Sequence, residues 1–287
     1  ELDGGVLRVD RADGTALVAR LFTAARPVSA VEGDAAVLRF VEEHGFPAER
    51  CVPDPVTVFR DQGVLVTGFV AGTNGRSDTS AATLHRLGDL LGHLHTLPPA
   101  PGPVARDAGS WHSLSLQGGD RREDVAALTA LLTAAERLAP AEQRPQFDRL
   151  RDELAAIDVG LGLPRALTHP DFGPANVVRT GDGELVLVDW TGAGQAPRIC
   201  ALGLLLSYTG ASPALVDAIV DGYRRHVVLE PEELDRLPDS IRAFGAILAC
   251  WGIVDWGSPP DRAVQEIAAG RRRAATIAGQ ARTAFAR

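Results

Sequence analysis

Lysine and methionine are both absent from the 287 residues, and each absence constrains what the chain does. Without lysine, every one of the 29 basic residues is arginine, so any role that an ammonium group usually fills falls to a guanidinium or stays empty. Without methionine, even at position 1, the chain is expected either to be missing its true start or to have lost its methionines. Cysteine is scarce: Cys51, Cys200 and Cys250 are odd in number and show no Cys-x-x-Cys spacing. That argues against a disulfide framework and a zinc knuckle, and the three read as small buried apolar side chains. The longest apolar run, 246–254 with Gly252 inside it, falls far short of the ~20 residues that cross a bilayer, so no membrane span is expected. A basic segment followed by an apolar one is missing from the N-terminus, and a cytoplasmic address is expected. Positive charge is outweighed, with 37 acids leaving a net charge of −8, opposite to what phosphate-backbone binding uses. Nucleic acid is therefore not an expected partner.

What is present describes a globular chain. Hydrophobic residues make up 45% and charged residues 23%, and the length suits one large domain or two lobes; it sets no oligomeric state. Strands are expected at 6–10 and 16–22 around the turn Ala12-Asp13-Gly14, followed by an amphipathic helix capped by Ser29 and ending near His44-Gly45. Strands at 55–59 and 64–70 complete a small lobe, and Ala71-Gly72-Thr73-Asn74-Gly75 breaks the pattern. Helices follow at 81–97, 122–138 and 142–157, with the first carrying a stripe of Leu84, Leu87, Leu90, Leu91 and Leu94. A hairpin of 176–178 and 185–189 precedes four more helices, broken at Gly210, Pro231 and Ser258-Pro259-Pro260.

The stretch that carries chemistry is Thr168-His169-Pro170-Asp171-Phe172-Gly173-Pro174-Ala175-Asn176, with Val188-Asp189-Trp190 on the returning strand. A hairpin between them folds two acids and an amide toward one spot. A hard cation such as magnesium takes oxygen ligands, and Asn176 and Asp189 with nucleotide phosphates would supply them. Asp171, owing no charge to the metal, could orient a substrate hydroxyl and accept its proton during phosphoryl transfer. His169 reads as a brace for the loop. His93 and His95, two apart on a helix, point to different faces and read as structural. Trp251 and Trp256 read as core residues of the helical tail.

His-x-Asp-x-x-x-x-Asn followed by a strand ending in Asp resembles the catalytic and metal-binding segments of the aminoglycoside phosphotransferase and choline kinase group, small-molecule relatives of the protein kinases. Leu91-Gly92-His93-Leu94-His95 and 64–72 add to the likeness. The resemblance implies an α+β, bilobal, protein-kinase-like fold, with a small β-rich N-terminal lobe over 1–72 and a larger, mostly helical lobe over 73–287. It implies adenine recognition by the backbone of Gly68, Phe69 and Val70, Asp171 as the catalytic carboxylate, and magnesium on Asn176 and Asp189. ATP is the implied nucleotide, with GTP open because a backbone hinge reads either base. The phosphate-binding basic residue falls on Arg20, where lysine is usual, and either Glu32 or Asp34 on the next helix is its implied partner.

The chain departs from the group in places. Proline stands at 170 where glycine is usual, Cys200 or Ala201 falls where the group carries a second aspartate, and the nucleotide-covering loop near Gly4-Gly5 is short. The implied function is an ATP-dependent O-phosphotransferase acting on a hydroxyl of a small molecule, an aminoglycoside-type antibiotic or related amino sugar or alcohol, with antibiotic resistance as one setting. Choline, another amino alcohol or another metabolite is an alternative acceptor. From Ala211 onward ten acids balance ten arginines, which weakens the case for a polycationic antibiotic. A catalytically degenerate ligand-binding protein is a further alternative, motivated by Arg20 and the missing aspartate. A metal-dependent hydrolase is disfavoured, since it has no need of Asn176 and the chain offers no nucleophile elbow.

Overall fold

The structure is a computed structural model that describes residues 5–109 and 120–287. Gly4 of the expected covering loop lies outside the described residues. In chain order the elements are β1 (Val6–Asp10), β2 (Ala16–Leu21), α1 (Val28–Glu43), β3 (Cys51–Phe59), β4 (Gln62–Gly68), β5 (Thr73–Asn74), α2 (Ala81–His95), α3 (Arg121–Glu136), α4 (Arg144–Ala155), β6 (Arg165–Thr168), β7 (Val177–Arg179), β8 (Leu185–Leu187), β9 (Gly194–Pro197), α5 (Ile199–Ser207), α6 (Pro213–Tyr223), α7 (Pro231–Trp256) and α8 (Pro260–Phe285). The expected α+β class is found.

The chain forms two compact units, but not as a cut after Gly72. One comprises Glu1–Asp78, Leu97–Gly119 and Leu167–Gln195, the other Thr79–Thr96, Asp120–Ala166 and Ala196–Arg287. The reason is pairing. β5 hydrogen-bonds to β7, placing Thr73 opposite Arg179, and Ala48 forms a parallel bridge to Leu187 of β8. The Asp171–Asp189 hairpin is thereby part of the same unit as the first 78 residues. Gly72 sits so close to β7 that a Cβ there would meet the Arg179 carbonyl oxygen at 2.2 Å, which explains the glycine.

In this unit β1, β2, β4 and β3 form an antiparallel sheet in that order. Partners across an antiparallel pair share a face, and the register sets Arg20 opposite both Val6 and Leu65, with Val18 opposite Arg8 and Thr67. Arg8, Val18, Arg20, Leu65 and Thr67 thus line one face. β3 begins four residues earlier than expected; as an edge strand it tolerates Pro53 and Pro55, and its register shifts between Cys51 and Val56. α1 starts at Val28 with Pro27 at the cap position, so Ser29 lies within the helix and is not its cap. Its stripe of Val31, Ala35, Leu38 and Val41 is buried as the spacing predicts.

The second unit is helical. α2 and α6 cross at glycines: a Cβ on Gly222 would lie 2.1 Å from the His85 carbonyl oxygen, and one on Gly88 2.2 Å from that of Ile219. All five leucines of the α2 stripe are buried. Glu233 closes a capping box at the start of α7 and pairs with Arg198. The spacing of the last four helices matches the sequence expectation. α7 reaches a mean hydropathy of 1.3 over eighteen residues, longer than the apolar run read from sequence, yet half of that window is buried where the helix packs on α5 and α8.

Candidate active site

The hairpin brings the three expected residues to one place. Asn176 closes a short 3-10 turn, and its backbone oxygen accepts from Val188 N at 2.9 Å, which sets the returning strand against the loop. Its Nδ2 donates to the Asp171 backbone oxygen at 2.9 Å and to Asp171 Oδ2 at 2.7 Å. Both amide protons are spent on Asp171, so the amide carbonyl oxygen is the group left to meet a cation. Asp189 adopts a left-handed backbone, φ 65°, and its side chain is 40% exposed. A non-glycine residue held there stores strain of the kind that collects at functional sites.

His169 braces this loop, as expected. Fully buried, it donates from Nε2 to the Val188 oxygen at 3.1 Å and accepts the Asp171 N–H on Nδ1 at 3.3 Å. Its ring meets Trp190 edge-on, with centroids 5.3 Å apart. Burial pulls its pKa below the ordinary histidine value, against the opposing pull of Asp171 and Asp189. A neutral imidazole with its proton on Nε2 satisfies both bonds. Pro170 does not disturb the arrangement, because the N–H that His169 uses belongs to Asp171.

Arg20 is buried rather than solvated, and its partners correct the expectation. Neither Glu32 nor Asp34 pairs with it. Glu32 is exposed on α1. Asp34 is fully buried and accepts from Arg26 at 2.7 Å, from Arg106 and from the Gly192 N–H at 3.0 Å. Asp34 therefore ties α1 to the segment that follows Asp189. Arg20 instead faces Asp189 Oδ1 at 3.4 Å and Glu49 Oε1 at 3.9 Å. Glu49, which sequence reading missed, is 3% exposed and also accepts the Asp189 N–H at 2.7 Å and the Thr67 hydroxyl at 2.7 Å. It lies in the linker between α1 and β3, held by a bond from its own N–H to the Leu187 oxygen at 3.0 Å. No local periodicity marks such a residue; only the long-range pairing does.

At the expected hinge, the Gly68 and Phe69 N–H groups already donate, to the Arg50 oxygen at 2.8 Å and the Ala16 oxygen at 3.0 Å. Of the three residues expected to read a base, these bonds occupy two. The Arg8 guanidinium lies 4.2 Å from the centre of the Phe69 ring. In the helical unit, His95 bonds Tyr223 at 2.9 Å while His93 stacks on His226, so the two histidines do face apart. Trp251 is half-buried, but Trp256 is 62% exposed and lines a cavity of about 640 Å³ between α7 and α8, which corrects its assignment to the core. It is the last residue of α7, where the left-handed Gly257 turns the chain away. The three cysteines are free, with Cys200 and Cys250 buried and Cys51 half-buried.

Residues 5–243 match the model of the phosphotransferase enzyme family. The chain belongs to that family. This phosphotransferase is 25% identical over 236 residues to a homoserine kinase of Caulobacter sp. (strain K31), covering 78% of this chain and 69% of that protein. Its fold is similar to that of the choline kinase LicA from Streptococcus pneumoniae, with a TM-score of 0.66 at 13% identity over 94% of this chain and 91% of that one. It is also similar to the amicoumacin kinase hAmiN, solved in complex with AMP-PNP, Ca2+ and Ami, with a TM-score of 0.65 at 16% identity over 94% of this chain and 88% of that one. The phosphotransferase is thus an enzyme of the small-molecule kinase class with a protein-kinase-like fold.

The donor set suits a hard cation. Asn176 and Asp189 offer only oxygen, and no cluster of three or more histidine, cysteine or acidic residues that could hold an ion occurs among the described residues. A cation at this place depends on ligands from a nucleotide as well.

Proposed function

We propose that the phosphotransferase moves the γ-phosphoryl group of ATP to the hydroxyl of a small amino alcohol, working in the cytoplasm. The observation that carries this is the Asn176–Asp171 hydrogen bond. It fixes one carboxylate at the loop for the acceptor and leaves the amide oxygen for magnesium, which Asp189 joins once Arg20 releases it. Magnesium, when bound by Asn176 and Asp189, supplies charge neutralisation on the phosphates.

Asp171 orients the acceptor hydroxyl and receives its proton as the oxygen attacks phosphorus. Asn176 holds that carboxylate in place, and His169 holds the loop by its two bonds. Arg20 binds phosphate oxygens, its planar fork suiting them bidentately. The base meets the hinge at Val70, where backbone recognition suits ATP and leaves GTP as a competing nucleotide to be assayed. The homoserine kinase relative and the balanced charge of the tail favour an amino alcohol over a polycationic antibiotic.

The test is ADP release with magnesium and homoserine, choline, ethanolamine or an amino sugar. Asp171→Ala is expected to abolish turnover while calorimetry shows ADP affinity within about twofold of the parent, since Asp171 makes contact with the acceptor and not the nucleotide. Equal loss of both would refute the division of roles. A second reading, a binding protein without phosphoryl transfer, draws on the Arg20–Asp189 ion pair, which engages the carboxylate that a cation needs. It expects nucleotide binding and no ADP release with any of these alcohols.

A further inference from the structure

We infer that Glu49 is a positioning residue that lets Arg20 exchange Asp189 for a nucleotide phosphate. The inference rests on the phosphotransferase reading above. Three groups form a closed set: Arg20 faces Asp189 Oδ1 at 3.4 Å and Glu49 Oε1 at 3.9 Å, and the same Glu49 oxygen accepts the Asp189 N–H at 2.7 Å. In this arrangement the guanidinium leans on the carboxylate that is to hold the cation. For Asp189 to serve a cation, Arg20 must let it go.

Arg20 is 9% exposed, so releasing Asp189 with no other counter-charge would leave a buried cation unpaired. Glu49 removes that obstacle. Its other oxygen is anchored by the Thr67 hydroxyl at 2.7 Å, and its backbone N–H is tied to the Leu187 oxygen at 3.0 Å, so the carboxylate stays while Arg20 moves. The sheet register supports this, because Thr67 and Arg20 share one face of β2 and β4. The α1 acids offer no substitute: Asp34 is engaged by Arg26, Arg106 and Gly192, and Glu32 is exposed. One carboxylate thus holds the Asp189 backbone in its left-handed turn and gives the arginine a second place to rest.

The test is calorimetric binding of Mg·ADP to the full chain in a double-mutant cycle. Glu49→Gln keeps an oxygen for the Asp189 N–H and a donor for Thr67 but removes the charge. Kd for Mg·ADP is expected to rise about tenfold in the Arg20 background and by less than about twofold when Arg20→Gln is already present. An unchanged Kd in Glu49→Gln overturns the inference, and so does an equal rise in both backgrounds, which would mean Glu49 acts independently of Arg20. Thr67→Val loosens the anchor without altering charge and carries the same comparison if Glu49→Gln does not fold, as judged by thermal melting. Failure of the parent chain to bind Mg·ADP would refute the phosphotransferase reading of the site, an outcome distinct from either result above.

Discussion

Removing the Asp34 carboxylate tests whether the polar cluster behind Asp189 holds the site together. Asp34 is fully buried and is the shared partner of Arg26 and Arg106, whose side chains are 2% and 16% exposed. Burial pulls the Arg26 pKa below its ordinary value, and Asp34 opposes that shift. Asp34→Ala strands buried positive charge, which costs about 3–5 kcal/mol. The Gly192 N–H loses its acceptor, worth about 1–3 kcal/mol, and because the partners are shared the two losses do not simply add. A net loss of about 4 kcal/mol lowers the melting temperature by roughly 10 °C at this chain length. Asp34→Asn keeps an acceptor for Gly192 and isolates the charge. Urea titration of both variants, with the slope unchanged from the parent, measures the cost. A loss under about 1 kcal/mol in Asp34→Asn would refute the claim that this charge is structurally required.

Two further outcomes follow from the helical unit. Burial holds the His95 pKa down at about 3, so between pH ~6.5 and ~3 the unfolded chain binds a proton that the folded one refuses. Stability therefore falls with falling pH across that window, by up to about 1.4 kcal/mol per unit, and His95→Gln flattens the slope; an identical pH profile in that variant would exclude His95 as the cause. Gly222→Ala sets a methyl against the His85 carbonyl oxygen at 2.1 Å, backbone against backbone, and is expected to cost at least about 2 kcal/mol by thermal or urea unfolding. A neutral outcome would show that α2 and α6 separate more readily than their packing implies.

The sequence made most local structure readable because its signals are local. Apolar-rich runs around the turn Ala12-Asp13-Gly14 mark β1 and β2, the leucine stripe marks α2, and Pro231 and Ser258-Pro259-Pro260 mark the breaks between the last helices. Asp171, Asn176 and Asp189 were legible for the same reason: eighteen positions and one hairpin hold them. What escaped depends on partners far apart in the chain. Glu49 meets Asp189 across 140 positions, and Gly192 meets Asp34 across 158. Neither contact leaves a period in the sequence, and an acid on the helix after Arg20 was the natural but mistaken partner. The division into 1–72 and 73–287 likewise reads a turn at Gly72 as a boundary, whereas β5 and the Ala48–Leu187 bridge carry the first unit on to the Asp171–Asp189 hairpin.

Position 20 carries a guanidinium where lysine is usual in the group that the sequence resembles. The same substitution makes the pocket blind to amine chemistry: acetylation, carbamylation and nucleotide probes that acylate lysine have no target at this position.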